Sequence, residues 1–410
     1  MNITERIKNA AKVLSRKFAE IEETALFNQE RILDAFRECK VSPRHFAGSF
    51  GYGYGDDGRD TLNKLYAKIF RADAALVSPH ILSGTHAITA ALFGILRPKD
   101  TLLSVTGTPY DTLKEVISGE GIGSLRNFGI FFDKVDLLNG KPNYKKIAAA
   151  VRKIEPKIVY IQRSKGYEWR AALTVSDISK ITDIVRENSP PSVIFVDNCY
   201  GEFTEKAEPI ESGADIIVGS LIKNPGGGLA PTGGYLAGKA ELIELAAGRL
   251  TAPGIGAEIG SYAGGYRDFY QGLFIAPHTV MQALKGAYLC AEVMRSLGYE
   301  ALPAKNDTAS DIVCPIKFNC EEKLVAFCRA IQRNSPVDSH VTPYPWDMPG
   351  YENQVIMAAG TFVQGSSIEL SCDSPLRPPY IAYIQGGLTY EHIKVALGNA
   401  VAELGEFTSS

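Results

Sequence analysis

Between residues 74 and 238 short aliphatic and β-branched runs alternate with longer stretches whose apolar residues recur at helical spacing. The runs are Ala74 to Pro79, Leu102 to Val105, a stretch around Ile130 to Phe132, Ile158 to Gln162, Val193 to Asp197, Asp215 to Gly219 and Tyr235 to Gly238. Segments such as THAITAALFGIL and YKKIAAAVRKI lie between most of them. Strand and helix in regular alternation leave few folds open. The expectation is an α/β fold with a mostly parallel sheet of about seven strands and helices on both faces. Ligands of such sheets bind outside the carboxyl ends of the strands, so the residues just beyond each run are where chemistry is sought.

The rest of the chain surrounds that unit. Residues 3 to about 40 carry Ile7, Leu14, Phe18, Ile21, Ile32, Leu33 and Phe36 at helical spacing, the mark of one or two amphipathic helices packed on a body, their own or a partner's. A loop dense in glycine and tyrosine follows, Gly48 to Leu62, running into a helix from Thr61 to Phe70. Glycine-rich Pro253 to Gly272 precedes a long helical segment, His278 to Met294. Beyond it, short apolar runs (Ile312 to Phe318, Gln354 to Ala359, Ser367 to Ser371) and helices near Glu322 to Asn334 and Tyr390 to Leu404 read as a smaller α+β domain. The expected division is a helical arm and loop at 1–58, a large domain at 59–295 and a small domain at 296–410.

A net charge of −3 gives no electrostatic case for nucleic acid or an anionic membrane. No apolar run is long enough to cross a bilayer, and the first residues lack the apolar core of a signal peptide, so a cytoplasmic protein is expected. The seven cysteines are scattered, Cys314, Cys320 and Cys328 lack the paired spacing of a zinc site, and His80 and His86 are six apart. No structural metal is expected.

Lys223 leads the candidate residues. It lies just past the run ending at Ser220 and before the loop NPGGGLAPTGG, with Leu221 and Ile222 beside it. Desolvation by such neighbours should lower its pKa from roughly 10.4 and free an amine able to attack a carbonyl; the competing reading is a surface lysine. Ser83, Gly84 and Thr85 precede a helix, where unpaired N–H groups bind phosphate, although serine and threonine also serve as plain N-caps. Asp197 ends a buried run and must be paired, with a ring nitrogen or with the next turn. Tyr110 could stack on a planar ligand or pack in the core. Arg377, set among prolines, suits a carboxylate or a surface ion pair. In the loop at 48–62, Tyr54 and Arg59 could add a phenol and a guanidinium to an anion site, or the loop could simply be flexible.

Taken together, GYGYGDDGRDTL, SGTHAI, TPYDTLKEVI, IQRSKGYEWR, VDNCYGEF, GSLIKNPGGGLAPTGGY and YQGLFIAPH resemble fold-type I enzymes dependent on pyridoxal 5'-phosphate (PLP). Within these the chain is similar to the cysteine and methionine lyases, most of all the methionine γ-lyase-like branch called aluminium-resistance proteins. The resemblance implies that Lys223 holds PLP, Asp197 pairs with the pyridine nitrogen and Tyr110 stacks on the ring. It further implies that Gly84, Thr85 and the Ser220 hydroxyl bind the phosphate, that Tyr54 and Arg59 reach the phosphate of a neighbouring subunit in a dimer or tetramer, and that Arg377 grips the substrate carboxylate. Three departures stand out: Ile222 where the better-known lyases have serine or threonine, the displaced Arg59, and His86 in place of their methionine. The implied reaction is β- or γ-elimination on cystathionine, cysteine or methionine-like amino acids. An aminotransferase, a non-catalytic PLP-binding regulator, and a nucleotide-binding module built on GEGIGS (Gly119 to Ser124) are the alternatives.

Overall fold

The computed structural model describes residues 2–121 and 123–407; Ile122, inside the GEGIGS stretch, lies outside them. Helices α1 (Ile3–Val13), α2 (Ser15–Glu38) and α3 (Asp57–Ile69) come first. Asn2 and Glu5 start α1 with a capping box, each side chain accepting from the other's backbone N–H. The arm packs on its own chain: Asn28 of α2 is buried and its Nδ2 donates to the carbonyls of Phe203 (3.2 Å) and Glu205 (3.0 Å).

The central unit runs β1 (Ala74–Ser78), α4 (Gly84–Ile95), β2 (Thr101–Ser104), α5 (Asp111–Ser118), β3 (Phe131–Lys134), α6 (Tyr144–Ile154), β4 (Ile158–Gln162), α7 (Val175–Asn188), β5 (Val193–Asp197), β6 (Ile216–Ser220), β7 (Gly234–Gly238) and α8 (Ala240–Leu250). Its seven strands lie in the order β1-β7-β6-β5-β4-β2-β3. All seven expected strands are present. Only β7 is reversed, pairing antiparallel with both β1 and β6. A parallel neighbour needs a crossover long enough for a helix, and the β6–β7 connection carries only a 3₁₀ turn at Asn224–Gly226. Alternate residues feed two cores: Ile194 and Val196 of β5 join α2, α3, α7 and the helix α9 (Arg267–Ser296) on one face, while Val193 and Phe195 join α4 and α8 on the other.

Helix α9 starts eleven residues before the expected His278. Gly272, the end of the glycine-rich stretch expected before the helix, lies inside it, and only glycine fits there because a Cβ would come within 2.2 Å of the Gly226 carbonyl oxygen. The glycine loop after Lys223 is pressed against this helix. The second half of α9, with Leu289, Val293 and Met294, also enters the core of a second sheet. That sheet is antiparallel throughout, β10 (Val355–Ala358), β11 (Ser371–Pro375), β12 (Ile381–Gln385), β9 (Val313–Lys317) and β8 (Glu300–Ala301) in spatial order, covered by α10 (Glu321–Arg333) and α11 (Tyr390–Phe407). The run expected at Ser367 to Ser371 is a loop, and the strand begins where the run ends. Glu369 accounts for this, because its carboxylate accepts the N–H groups of Phe362 (2.9 Å) and Val363 (3.0 Å) and folds the chain back on itself.

Candidate active site

The carboxyl ends of β4, β5 and β6 and the N-terminus of α4 meet on one edge of the large sheet. Asp197, the last residue of β5, is buried; Oδ2 accepts the Tyr160 hydroxyl (3.2 Å) and Oδ1 the Cys199 N–H (3.1 Å). Burial pushes its carboxyl above the usual range, against the downward pull of Lys223 and of these hydrogen bonds. Lys223 is half-buried, with Nζ 4.0 Å from the centroid of the Tyr200 ring. Here the sequence expectation is corrected. Burial does pull the ammonium down, but Cys199, Tyr200, Asp197 and Tyr110 push the other way and hold it above the ordinary lysine range.

The phosphate cradle expected at Ser83 to Thr85 divides into separate roles. Ser83 is the N-cap of α4, its Oγ accepting from His86 N (3.1 Å), and His86 Nδ1 accepts the Leu82 N–H (3.1 Å). Gly84 is the first residue of the helix, and a Cβ there would lie 3.0 Å from Cys199 Sγ and 3.7 Å from Ser220 Cβ. The space in front of the helix N-terminus is thus bounded by Ser220, Cys199 and bare backbone, which suits an anion that must approach unpaired N–H groups closely. Thr85 Oγ1 lies 2.6 Å from the Tyr110 hydroxyl and 3.1 Å from Thr112 Oγ1. Tyr110 caps α5 and its N–H donates to Gln162 Oε1 (3.0 Å). Burial and nearby Asp197 push its phenol well above the usual tyrosine range, so it stays protonated at neutral pH. These residues fit PLP: a lysine amine, a buried carboxylate at a strand end, a phenol and an open helix N-terminus.

Arg377 is half-buried and lines a cavity of about 160 Å³ together with Tyr110, Gln162, Lys165 and Tyr167. Tyr54 and Arg59 are not brought to this cavity within the chain. Tyr54 is exposed beside Tyr52, their ring centroids 5.6 Å apart. Arg59 is turned inward, donating to the Gly53 carbonyl (3.0 Å) and to Asp60 Oδ1 (2.9 Å).

Several residues at the site were passed over in the sequence. Lys165 is buried against Asp311, and Tyr167 donates to Asp373 Oδ2 (3.2 Å), whose carboxyl burial pushes up to about 6. Tyr200 stands over Lys223. Lys165 and Tyr167 follow β4 as Asn198 and Cys199 follow β5, so weighing every strand end alike would have found them. No group of three or more metal-ligating side chains occurs among the described residues, and no described helix is long and apolar enough to cross a membrane.

Residues 3–405 match the family model described as methionine gamma-lyase. The uncharacterized protein YnbB of Bacillus subtilis (strain 168) is 52% identical over 389 residues, 94% of this chain and 92% of that protein. L-methionine gamma-lyase of Pseudomonas putida is 27% identical over 201 residues, covering 48% of this chain and 46% of that protein. Among solved structures, a carbon-sulfur lyase involved in aluminum resistance from Clostridium novyi NT superposes with a TM-score of 0.93 at 50% identity, covering 98% of this chain and 95% of that one. The fold alone is shared with the PLP-dependent protein YhfS of Escherichia coli, at a TM-score of 0.62 and 17% identity over 93% of this chain and 97% of that one. Matched along nearly its whole length, this chain belongs to the methionine gamma-lyase family.

Proposed function

We propose that this protein is a cytoplasmic, PLP-dependent carbon-sulfur lyase that eliminates a thiol from cystathionine, cysteine or a methionine-like amino acid. The observation that carries this reading is the meeting of Lys223, Asp197, Tyr110 and the Gly84–Ser220 cradle at one sheet edge, with Arg377 in the adjoining cavity. Bound PLP would supply a carbonyl for the Lys223 amine and an electron-accepting ring. Asp197 would pair with the ring nitrogen and keep a proton on it. Gly84, Thr85 and Ser220 would seat the phosphate, and Arg377 would hold the substrate carboxylate and so orient its Cα–H bond. Lys223, whose nitrogen would be released unprotonated when the substrate amine takes its place on the cofactor, would take that proton, and Tyr110, still protonated at neutral pH, would give one to the departing sulfur. Breaking Cα–H and Cβ–S in this way leaves 2-aminoacrylate, which water converts to pyruvate and ammonia; γ-elimination requires a further proton from Cβ and yields 2-oxobutyrate.

The exposed Phe50, Tyr52 and Tyr54 favour an assembly in which this loop enters the neighbouring subunit's site. One preparation tests the whole reading. Purified protein should absorb near 420 nm (roughly, as for lysine-linked PLP), lose that band in Lys223→Ala, release thiol and oxo-acid from L-cystathionine or L-cysteine, and sediment as a dimer or tetramer. A colourless protein that PLP cannot reconstitute would overturn the cofactor. Turnover that requires an oxo-acid acceptor would make it a transaminase, and a monomer would remove Tyr54 from the site.

A further inference from the structure

Tyr200 has φ +70, in the left-handed region that favours glycine. Such strain persists only where the surroundings enforce it. Three contacts do so. The Tyr200 carbonyl accepts Asn224 Nδ2 (2.9 Å), from the residue next to Lys223, and the same amide donates to the Glu202 carbonyl (2.9 Å). The Tyr200 hydroxyl donates to Ser367 Oγ (3.1 Å) in the loop before β11. Between these anchors the ring turns its face to Lys223, with Nζ 4.0 Å from the centroid. The ring is clamped from both sheets, and what it is clamped against is the lysine amine.

We propose that Tyr200 is a positioning residue for Lys223, its ring face holding the ε-ammonium that forms whenever the lysine takes up a proton. The proposal rests on the reading of Lys223 as the proton-transferring lysine of a lyase. An aromatic face attracts an ammonium and is indifferent to a neutral amine, so it favours the charged form and fixes its place. A flexible four-carbon stem would otherwise scatter the proton it carries. Other groups also act on the amine. Asp197, Cys199 and Tyr110 lie on the large-sheet side, Glu202 behind, and Asp373 and Tyr351 on the small-sheet side. Cys199, Tyr110, Tyr351 and the carboxyls of Asp197, Glu202 and Asp373 are the same in every variant compared, so the ring's contribution is separable from theirs.

The test needs no cofactor. Lysines of the full chain, freed of any bound PLP, are reductively dimethylated with ¹³C; the Lys223 resonance is assigned by its absence in Lys223→Arg and titrated by NMR. Tyr200→Leu should lower the Lys223 pKa by about 1 pH unit, a tenfold loss of proton affinity. Tyr200→Phe, which keeps the ring face, should titrate with the wild type. Should the leucine variant fail to fold, Tyr200→Phe with a fluorinated ring keeps the shape and drains the ring's negative face, and should move the titration in the same direction. An unchanged titration in the leucine or fluorinated protein would overturn the proposal, as would a phenylalanine variant that falls as far as leucine. A chain that never binds PLP would fail the absorption test while still returning this titration.

Discussion

Glu202 shows how one side chain can carry the chemistry of its surroundings. It is fully buried, its Oε1 accepts the Tyr235 hydroxyl (2.8 Å), and its Oε2 meets no partner. Gly219 must be glycine here, since a Cβ would lie 2.5 Å from Glu202 Oε1 and 2.4 Å from Tyr235 Cε1. With no cation bonded to it, burial pushes the carboxyl up to about 8. The folded chain therefore holds a proton that the unfolded chain releases near the ordinary carboxylate range. Stability is fully present below that range, falls as pH rises toward 8, and levels off above it, with a slope of at most about 1.4 kcal/mol per pH unit. Glu202→Gln keeps the acceptor for Tyr235 and removes the titration, so its stability should fall less steeply than the wild type's, most clearly between pH 6 and 8, above the range of Asp373. Urea unfolding at several pH values checks this; a variant with the wild-type slope would assign the slope to other groups. The sequence shows Glu202 near Asp197, but its burial without an ion pair appears only once β6 and β7 are paired beside it.

At the scale of elements, the opening of α4 is the part most exposed to a single methyl group. Gly84→Ala suits the helix, alanine being favoured over glycine by about 1 kcal/mol. Its Cβ would nevertheless stand 3.0 Å from Cys199 Sγ, inside the space assigned to the phosphate. The variant should weaken PLP binding while the cofactor-free chain melts no lower than wild type. Absorbance titration with PLP and thermal melts of the same sample check both halves; undiminished binding would move the phosphate elsewhere. Strand ends such as Asp197 and Ser220 were legible because each closes an aliphatic run that can only be buried. The direction of β7 was not read, because it depends on a connection lacking a helix rather than on the strand's own residues. Likewise the first eleven residues of α9 were hidden by Gly272 and Pro277, which local propensity marks as breakers; close packing against the Gly226 loop explains the glycine.

Across the whole molecule, the two sheets are joined at the site by a buried ion pair. Lys165, three residues past β4, donates through Nζ to Asp311 and to the Val313 carbonyl (2.9 Å), at the entry to β9. Ser164 Oγ also donates to Asp311 Oδ2 (3.0 Å). Both charges are withdrawn from water, at 5% and 1% side-chain exposure. Desolvation offsets much of the attraction in such a pair, so its net contribution is small while the cost of breaking it is large. Asp311→Ala leaves an ammonium buried among carbonyls, and should cost about 3–5 kcal/mol of unfolding free energy. Replacing both partners, Lys165→Met with Asp311→Leu, should recover most of that loss, because no charge then remains to be solvated. Yet Lys165 also lines the cavity beside Tyr110 and Arg377, so the doubly replaced protein should regain stability without regaining turnover. Unfolding curves and thiol release measured on the three proteins separate these outcomes. Stability and activity returning together would make the pair purely a joint between the sheets; stability alone would mean that the same contact that fastens the small sheet also shapes the substrate cavity.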